Sequence, residues 1–294
     1  MTFDLSAAAS FMSTHGRILD QRRFDLLTGD GGHEAVLAAL DGYRNPDGGY
    51  GWGLEPDFRA VESQPTAGMH AFEVFAEVAP LTTPRAFELC NWLELHTLDD
   101  GGLPFALPVR DGSGCAPWFA SADPTVSAIQ MTAQVAANAQ LVARHDPAVA
   151  GHPWLARATR NCFDVIAAMD TAPHAYELSF ALRFLDAAAD REPKARDLLA
   201  RLGRFVPDDG CIPVEGGIDG ETLRPLDLAP RPDAPSRALI REAAVAADLE
   251  RLARQQEPDG GWTVDFASFS PAAALEWRGY ATVQAVETLR SNPA

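Results

Sequence analysis

Apolar residues recur with a helical period in short segments: Ala35, Leu37, Leu40 and Tyr43, then Phe87, Cys90, Trp92 and Leu95. Such spacing predicts amphipathic helices. Each of these segments runs into Asp-Gly-Gly, where glycine supplies the left-handed geometry that ends a helix. The same turn signal returns along the chain as Asn45-Pro46-Asp47-Gly48-Gly49-Tyr50, Leu98-Asp99-Asp100-Gly101-Gly102-Leu103, Val206-Pro207-Asp208-Asp209-Gly210-Cys211 and Glu257-Pro258-Asp259-Gly260-Gly261-Trp262. From Asp47 through Asp100 and Asp209 to Asp259 the separations are 53, 109 and 50 residues. The middle interval is close to two units, and a degenerate fifth unit is expected over 150–190. There His152 to Met169 and Pro173 to Ala189 are two periodic segments joined by Asp170-Thr171-Ala172.

Beyond each turn a second helix is expected, opening at Gln64-Pro65-Thr66-Ala67 and at Asp123-Pro124-Thr125-Val126. Proline suits a first helical turn, and the polar residue before it caps free amides. The last unit reads Glu276-Trp277-Arg278-Gly279-Tyr280-Ala281-Thr282 at this place. A hairpin of about 50 residues cannot bury both faces alone, so neighbouring hairpins must stack. Closing the stack gives an all-α, (α/α)6-type toroid, one domain over 1–294, with an inner and an outer helix per hairpin. Phe3 to Leu27 supplies a pair that closes against the C-terminal helix ending near Leu289. Ala234 to Gln255 reads as one long helix where the pattern wants two.

Composition narrows the partners. Forty-one acidic against 24 basic side chains leave a formal charge of −17 in 294 residues, which repels nucleic acid and anionic membrane surfaces. No apolar run is long enough to span a bilayer, and the start Met1-Thr2-Phe3-Asp4-Leu5-Ser6 does not read as a leader, so a cytoplasmic protein is expected. Four scattered cysteines, Cys90, Cys115, Cys162 and Cys211, read as reduced thiols.

Gln256 to Trp262 resembles the repeats of squalene and hopene cyclases: Gln, three residues, Gly, one residue, aromatic. Arg44 to Tyr50 is a weaker copy. The resemblance places the chain with the terpenoid cyclase and protein prenyltransferase superfamily, and it implies the α/α toroid. Glutamine bonds exposed helix-end groups while the indole packs on the turn, so the motif is a clamp and says little about chemistry. Cyclases that protonate an alkene or epoxide carry Asp-x-Asp-Asp-Thr-Ala at an inner-helix start. Aligned on Thr125, Asp123 falls on the proton-donating middle Asp, while Ser121 and Pro124 replace its companions. Asp123 has two readings, helix cap and catalytic acid, and both stay open.

The first loop, Trp52 to Gln64, offers a second polar cluster: Glu55 and Asp57 as further catalytic carboxylates, with Trp52, Phe58, Arg59, Glu62 and Gln64 as substrate contacts. Its other reading is an ion-pair network that stabilises the loop. Trp118 and Phe119, His174, Tyr176 and Glu177, and Trp277, Arg278 and Tyr280, with Glu276 beside them, stand at comparable inner-helix mouths. The aromatic ones suit a carbocation. Phe72, Phe75, Phe180 and Phe184 read as core.

Asp209-Gly210-Cys211 carries the letters of a prenyltransferase zinc ligand but occupies a turn slot, so no metal is expected there. No Asp-Asp-x-x-Asp, phosphate-cradling glycine loop or Gly-x-Ser-x-Gly elbow is present. The resulting expectation is acid-initiated cyclisation of an isoprenoid or prenylated small molecule in an apolar cavity. No cofactor is expected, magnesium entering only with a diphosphate substrate. Two alternatives are a non-catalytic toroid that binds a lipid or protein, and a sugar-active (α/α) enzyme that pairs Glu55 and Asp57 with Glu177. The Gln-to-Trp repeat weighs against the latter.

Overall fold

The computed structural model describes residues 2–293, and these are predominantly helical. The helices are α1 (Leu5–His15), α2 (Ile18–Thr28), α3 (His33–Leu40), α4 (Pro65–Glu77), α5 (Pro84–His96), α6 (Pro117–Ala120) and α7 (Ile129–Val142). They continue with α8 (Pro147–Ala150), α9 (Pro153–Ala167), α10 (Ala175–Ala188), α11 (Lys194–Leu202), α12 (Pro225–Leu228), α13 (Glu242–Arg254) and α14 (Pro271–Ser291). One short antiparallel ribbon pairs β1 (Ile212–Pro213) with β2 (Thr222–Leu223). Contacts group the chain into two compact units, residues 1–39, 174–182 and 199–294 in the first, 40–173 and 183–198 in the second.

In the second unit α4 packs on α5 and α7, and α9 packs on α5 and α7. Most of α4 is buried all round, from Pro65 through Phe72 and again at Val74 and Phe75. A helix enclosed in this way belongs inside a layer of others. Its neighbour α5 is one-sided: Ala86, Leu89, Cys90, Trp92 and Leu93 are buried, while Phe87, Asn91 and Leu95 face solvent. Helices α9 and α10 cover the two periodic segments expected over 150–190.

In the first unit α1 and α2 pack against α14, as expected for the N-terminal pair, and α13 packs on α14 as well. The Arg290 side chain donates to the Leu27 carbonyl at 2.8 Å. Phe3 meets Trp262 edge-on, with ring centroids 6.1 Å apart.

The repeated turns share one bonding frame. Gly48 N donates to Asn45 O, Gly101 N to Leu98 O, and Gly260 N to Glu257 O, at 3.1, 2.9 and 2.8 Å. In each, the Asp side chain accepts from the second glycine: Asp47 from Gly49, Asp100 from Gly102, Asp259 from Gly261. In these three turns the first glycine has a φ near +90° and lies so close to another helix that a Cβ would meet backbone: Glu88 O at 3.1 Å for Gly48, Arg157 O at 3.1 Å for Gly101, Ala7 O at 2.1 Å for Gly260. The Asp47 and Asp100 turns therefore rest on α5 and α9, and the Asp259 turn rests on α1, the first helix described. At the last turn Gln256 completes the contact: its amide accepts from Asp4 N and donates to Asp4 O, both at 2.7 Å, and donates to Gly260 O at 2.9 Å. Trp262 is sealed beneath, its indole N–H on Leu252 O at 2.8 Å. Cys211 takes the second-glycine place of the Asp209 turn, its amide on the Asp209 carboxylate at 3.0 Å.

Two expectations about helices are corrected. The helix expected to open at Asp123-Pro124 starts instead at Ile129. Ser127 Oγ donates to Asp100 at 2.6 Å and Ala128 N to Leu103 O at 2.8 Å, which holds this stretch extended against the preceding turn and delays the helix. Ala234 to Gln255 is not one helix either, but a 3-10 segment (Pro235–Leu239) followed by α13. Between the Asp209 turn and this segment the only α-helix among the described residues is the single turn α12.

Candidate functional site

Three ionisable side chains meet inside the second unit. His70, in the middle of α4, donates from Nδ1 to Glu73 Oε2 at 2.9 Å and from Nε2 to Glu55 Oε2 at 3.1 Å. Glu73 reaches His70 because residues three apart share a helix face. Glu55 arrives from the loop before α4, which doubles back so that the Trp52 amide donates to Ala60 O at 2.8 Å and Gln64 N to Tyr50 O at 2.8 Å. Its other oxygen, Oε1, accepts from the Asp57 amide at 3.2 Å.

His70 and Glu55 are only 4% and 6% exposed. Burial alone would push the imidazole down, but the charge of Glu73 and the hydrogen bonds to both carboxylates outweigh it and raise His70 to about 9. His70 therefore carries its proton at neutral pH. The half-buried Glu73 is the member that meets solvent. The order from solvent inwards is carboxylate, imidazolium, carboxylate, a path along which a proton can be held and exchanged.

The carboxyl predicted as proton donor does not have these surroundings. Asp123 is exposed, and its carboxylate accepts from Thr125 N at 2.8 Å and Thr125 Oγ1 at 2.6 Å, bonds that hold it below the usual carboxylate range. Donation to an alkene requires the reverse, a carboxyl kept protonated by burial. Asp123 also caps no helix; it closes a local turn.

The remaining first-loop residues divide into bracing groups and surface groups. Gln64 pairs with the Leu107 backbone, accepting at 2.8 Å and donating at 3.2 Å, so both ends of its amide brace two loops instead of meeting substrate. Phe58 and Phe119 stack at 4.7 Å in a small core with Ala60, Ala106 and Cys115. Asp57 is buried beside them, its carbonyl accepting from Ala116 N at 2.8 Å. Glu62 accepts weakly from Arg110 N at 3.4 Å, and the exposed Arg59 crosses Gly53. Trp52 and Trp118 remain exposed. Trp52 holds a left-handed φ of 57°, a strained backbone for a tryptophan, and its indole donates to Asn45 Oδ1 at 2.8 Å.

The candidates in the first unit are engaged in structure. Arg278 grips Asp259 through two bonds of 2.7 and 2.9 Å and lies 4.5 Å over the Phe11 ring. His174 bonds Glu215 O at 2.9 Å and accepts from Tyr176 N at 3.3 Å, while Tyr176 donates to Glu221 at 2.6 Å. Burial, with Glu221 adding to it, pushes the Tyr176 phenol up. Trp277 is buried edge-on to Phe266 and Tyr280, Arg23 stands 5.2 Å from the centre of the Tyr280 ring, and Glu177 is half-exposed in the first turn of α10. Among the described residues no group of three His, Cys, Asp or Glu is placed to hold a metal ion, and no helix is long and apolar enough to cross a membrane.

Of the carboxylates singled out from sequence as catalytic, Asp123, Asp57 and Glu55, the last is bonded to His70, its other oxygen accepting from the Asp57 amide. Its partners His70 and Glu73 were missed because they lie in a stretch, Ala67 to Phe75, that reads as core. The signal that finds them is a His and a Glu three apart inside an otherwise apolar helix. Compared with models of protein families and with curated protein sequences, the chain matches none.

Proposed function

We propose that the chain is an enzyme of the α/α toroid kind that works by general acid–base catalysis at Glu55, His70 and Glu73. The observation that carries this reading is the buried imidazolium held between two carboxylates, one of which opens to solvent. Glu73 exchanges the proton with substrate, His70 supplies or receives it, and Glu55 is the buried partner that keeps the ring oriented. Support for the toroid comes from three of the turns, those at Asp47 and Asp100 seated on α5 and α9 and the last on α1.

The terpenoid-cyclase resemblance then accounts for the architecture and narrows the chemistry. An imidazolium raised to about 9 is too weak an acid to protonate an alkene, so alkene-initiated cyclisation loses its donor together with Asp123. What this centre suits is proton transfer at an oxygen, as in opening an epoxide or cleaving a C–O bond, or removal of an activated C–H proton. The second reading, a non-catalytic toroid that binds a lipid or a protein, is favoured by one observation: Glu55 and His70 are nearly sealed from solvent.

Incubating the purified protein with squalene epoxide, farnesyl diphosphate and a panel of glycosides, with products read by mass spectrometry, separates the two. Conversion that disappears in Glu73→Gln and in His70→Gln, both still folded, supports the enzyme. Conversion that is unchanged in both variants removes this centre from the role.

A further inference from the structure

The helix packed beside α4 carries a polar stripe that none of the chemistry above uses. Within α7 the apolar residues Met131, Val135, Ala136, Ala139 and Val142 are buried, whereas Gln130, Gln134 and Asn138 are half-exposed. Their spacing of four places these three amides along one face. No hydrogen bond to protein is seen for any of the three side chains among the described residues, in contrast to Ser127, Thr132 and Gln140 on the same segment, which are bonded to Asp100, Ala128 and Thr159.

The stripe occupies positions on α7 equivalent to those of the acid–base centre on α4, and the two helices pack together. Gln64 N bonds Tyr50 O and Ala128 N bonds Leu103 O, each at 2.8 Å, while Gly68 N bonds Gln64 O and Thr132 N bonds Ala128 O. These equivalent frames make Gln130 the counterpart of Thr66 and Gln134 the counterpart of His70. Thr66 adds an independent sign. It is 3% exposed, shares the face of His70 and Glu73 four and seven residues on, and its buried hydroxyl has no hydrogen-bond partner. A buried hydroxyl left unbonded destabilises the fold, and a ligand hydroxyl that reached it would recover that loss.

We infer that α4 and α7 together form the substrate-binding face of this centre, and that it takes a neutral, polyhydroxylated ligand of the carbohydrate class. This rests on the acid–base reading above and specifies its substrate. The three amides and the Thr66 hydroxyl each donate and accept, and so does every hydroxyl of a sugar; a hydrocarbon chain laid over them would leave all four groups unsatisfied. The α7 stripe carries no positive side chain, and the cation of the centre, His70, is already matched by Glu73 and Glu55, so a phosphate or diphosphate would meet net negative charge.

The test is binding, measured by calorimetry and saturation-transfer NMR, with methyl glucoside, N-acetylglucosamine and cellobiose as probes and farnesol as the apolar comparison. The account expects at least one sugar to bind. In the double variant Gln134→Leu, Asn138→Leu that affinity should fall at least about tenfold. In Glu73→Gln turnover should be lost while affinity stays within about threefold. Because Gln134 and Asn138 are half-exposed, the double variant should keep the native circular dichroism. If it does not fold, Gln134→Ala, Asn138→Ala replaces it, and at least about a threefold loss is expected there, since alanine keeps the helix while removing both amides. Absence of sugar binding, sugar binding unchanged in the folded variant, or tighter binding of farnesol than of any sugar overturns the inference. None of these outcomes touches the protonation of His70, which is read separately by titration and decides the acid–base reading.

Discussion

His70 Nδ1 stands 2.9 Å from Glu73 Oε2 within one turn of α4, while its Nε2 stands 3.1 Å from Glu55 Oε2, fifteen residues back in the chain. The pairing spans a local and a non-local contact, so it couples the protonation of one imidazole to the folding of the whole first loop. A group raised in the folded state stabilises that state fully while the unfolded chain is also protonated, and the stabilisation fades as pH rises through the folded value.

Stability should therefore be greatest for this group below about pH 6.5 and decline as pH rises from there through about 9. The contribution at stake is about 3 kcal/mol by linkage. Urea unfolding across that range should show the decline in the wild type and a flatter profile in His70→Gln.

The left-handed glycines separate strain from collision. Gly260 and Gly29 have similar φ values, 94° and 91°, but a Cβ at Gly260 would stand 2.1 Å from Ala7 O whereas one at Gly29 meets nothing within 4 Å. Gly29→Ala should cost about 1 kcal/mol and Gly260→Ala at least about 3 kcal/mol. Equal costs in denaturant unfolding would mean that the last turn does not rest on α1.

Gln256 holds the backbone on both sides of Asp4. Replacing it with Leu should lower stability by about 2 kcal/mol and speed amide exchange in the first turn of α1 before other helices respond. Exchange that quickens uniformly would show the bond to be one ordinary contact among many.

For any substrate that is converted, Asp123→Asn should leave kcat/KM within about twofold, whereas Glu73→Gln should lower it at least about a hundredfold. Steady-state kinetics of the two variants reads this directly, and a large loss in Asp123→Asn restores that residue as the acid.

Turns and helix ends were legible because they obey local rules: glycine at positive φ, proline at the first turn of α4, glutamine reaching a backbone end. Asp123-Pro124-Thr125 has the letters of a helix start, yet the helix waits until Ile129, because Ser127 and Ala128 are claimed by Asp100 and Leu103 across the turn. No local rule carries that information. Arg278 and Gln64 look like mouth residues for the same reason: their partners Asp259 and Leu107 lie 19 and 43 residues away. Glu55 was legible as a polar loop residue, but the partner that gives it meaning sits in a helix whose apolar neighbours conceal it.

Nitrogen NMR of the histidine side chains, followed against pH, reads the centre most directly. His70 should remain an imidazolium through neutral pH and lose its proton near pH 9 in the wild type, and it should titrate well below that in Glu73→Gln. A His70 that titrates near 6.5, or that is neutral at pH 7 in the folded wild type, would contradict an acid–base centre built on these three residues.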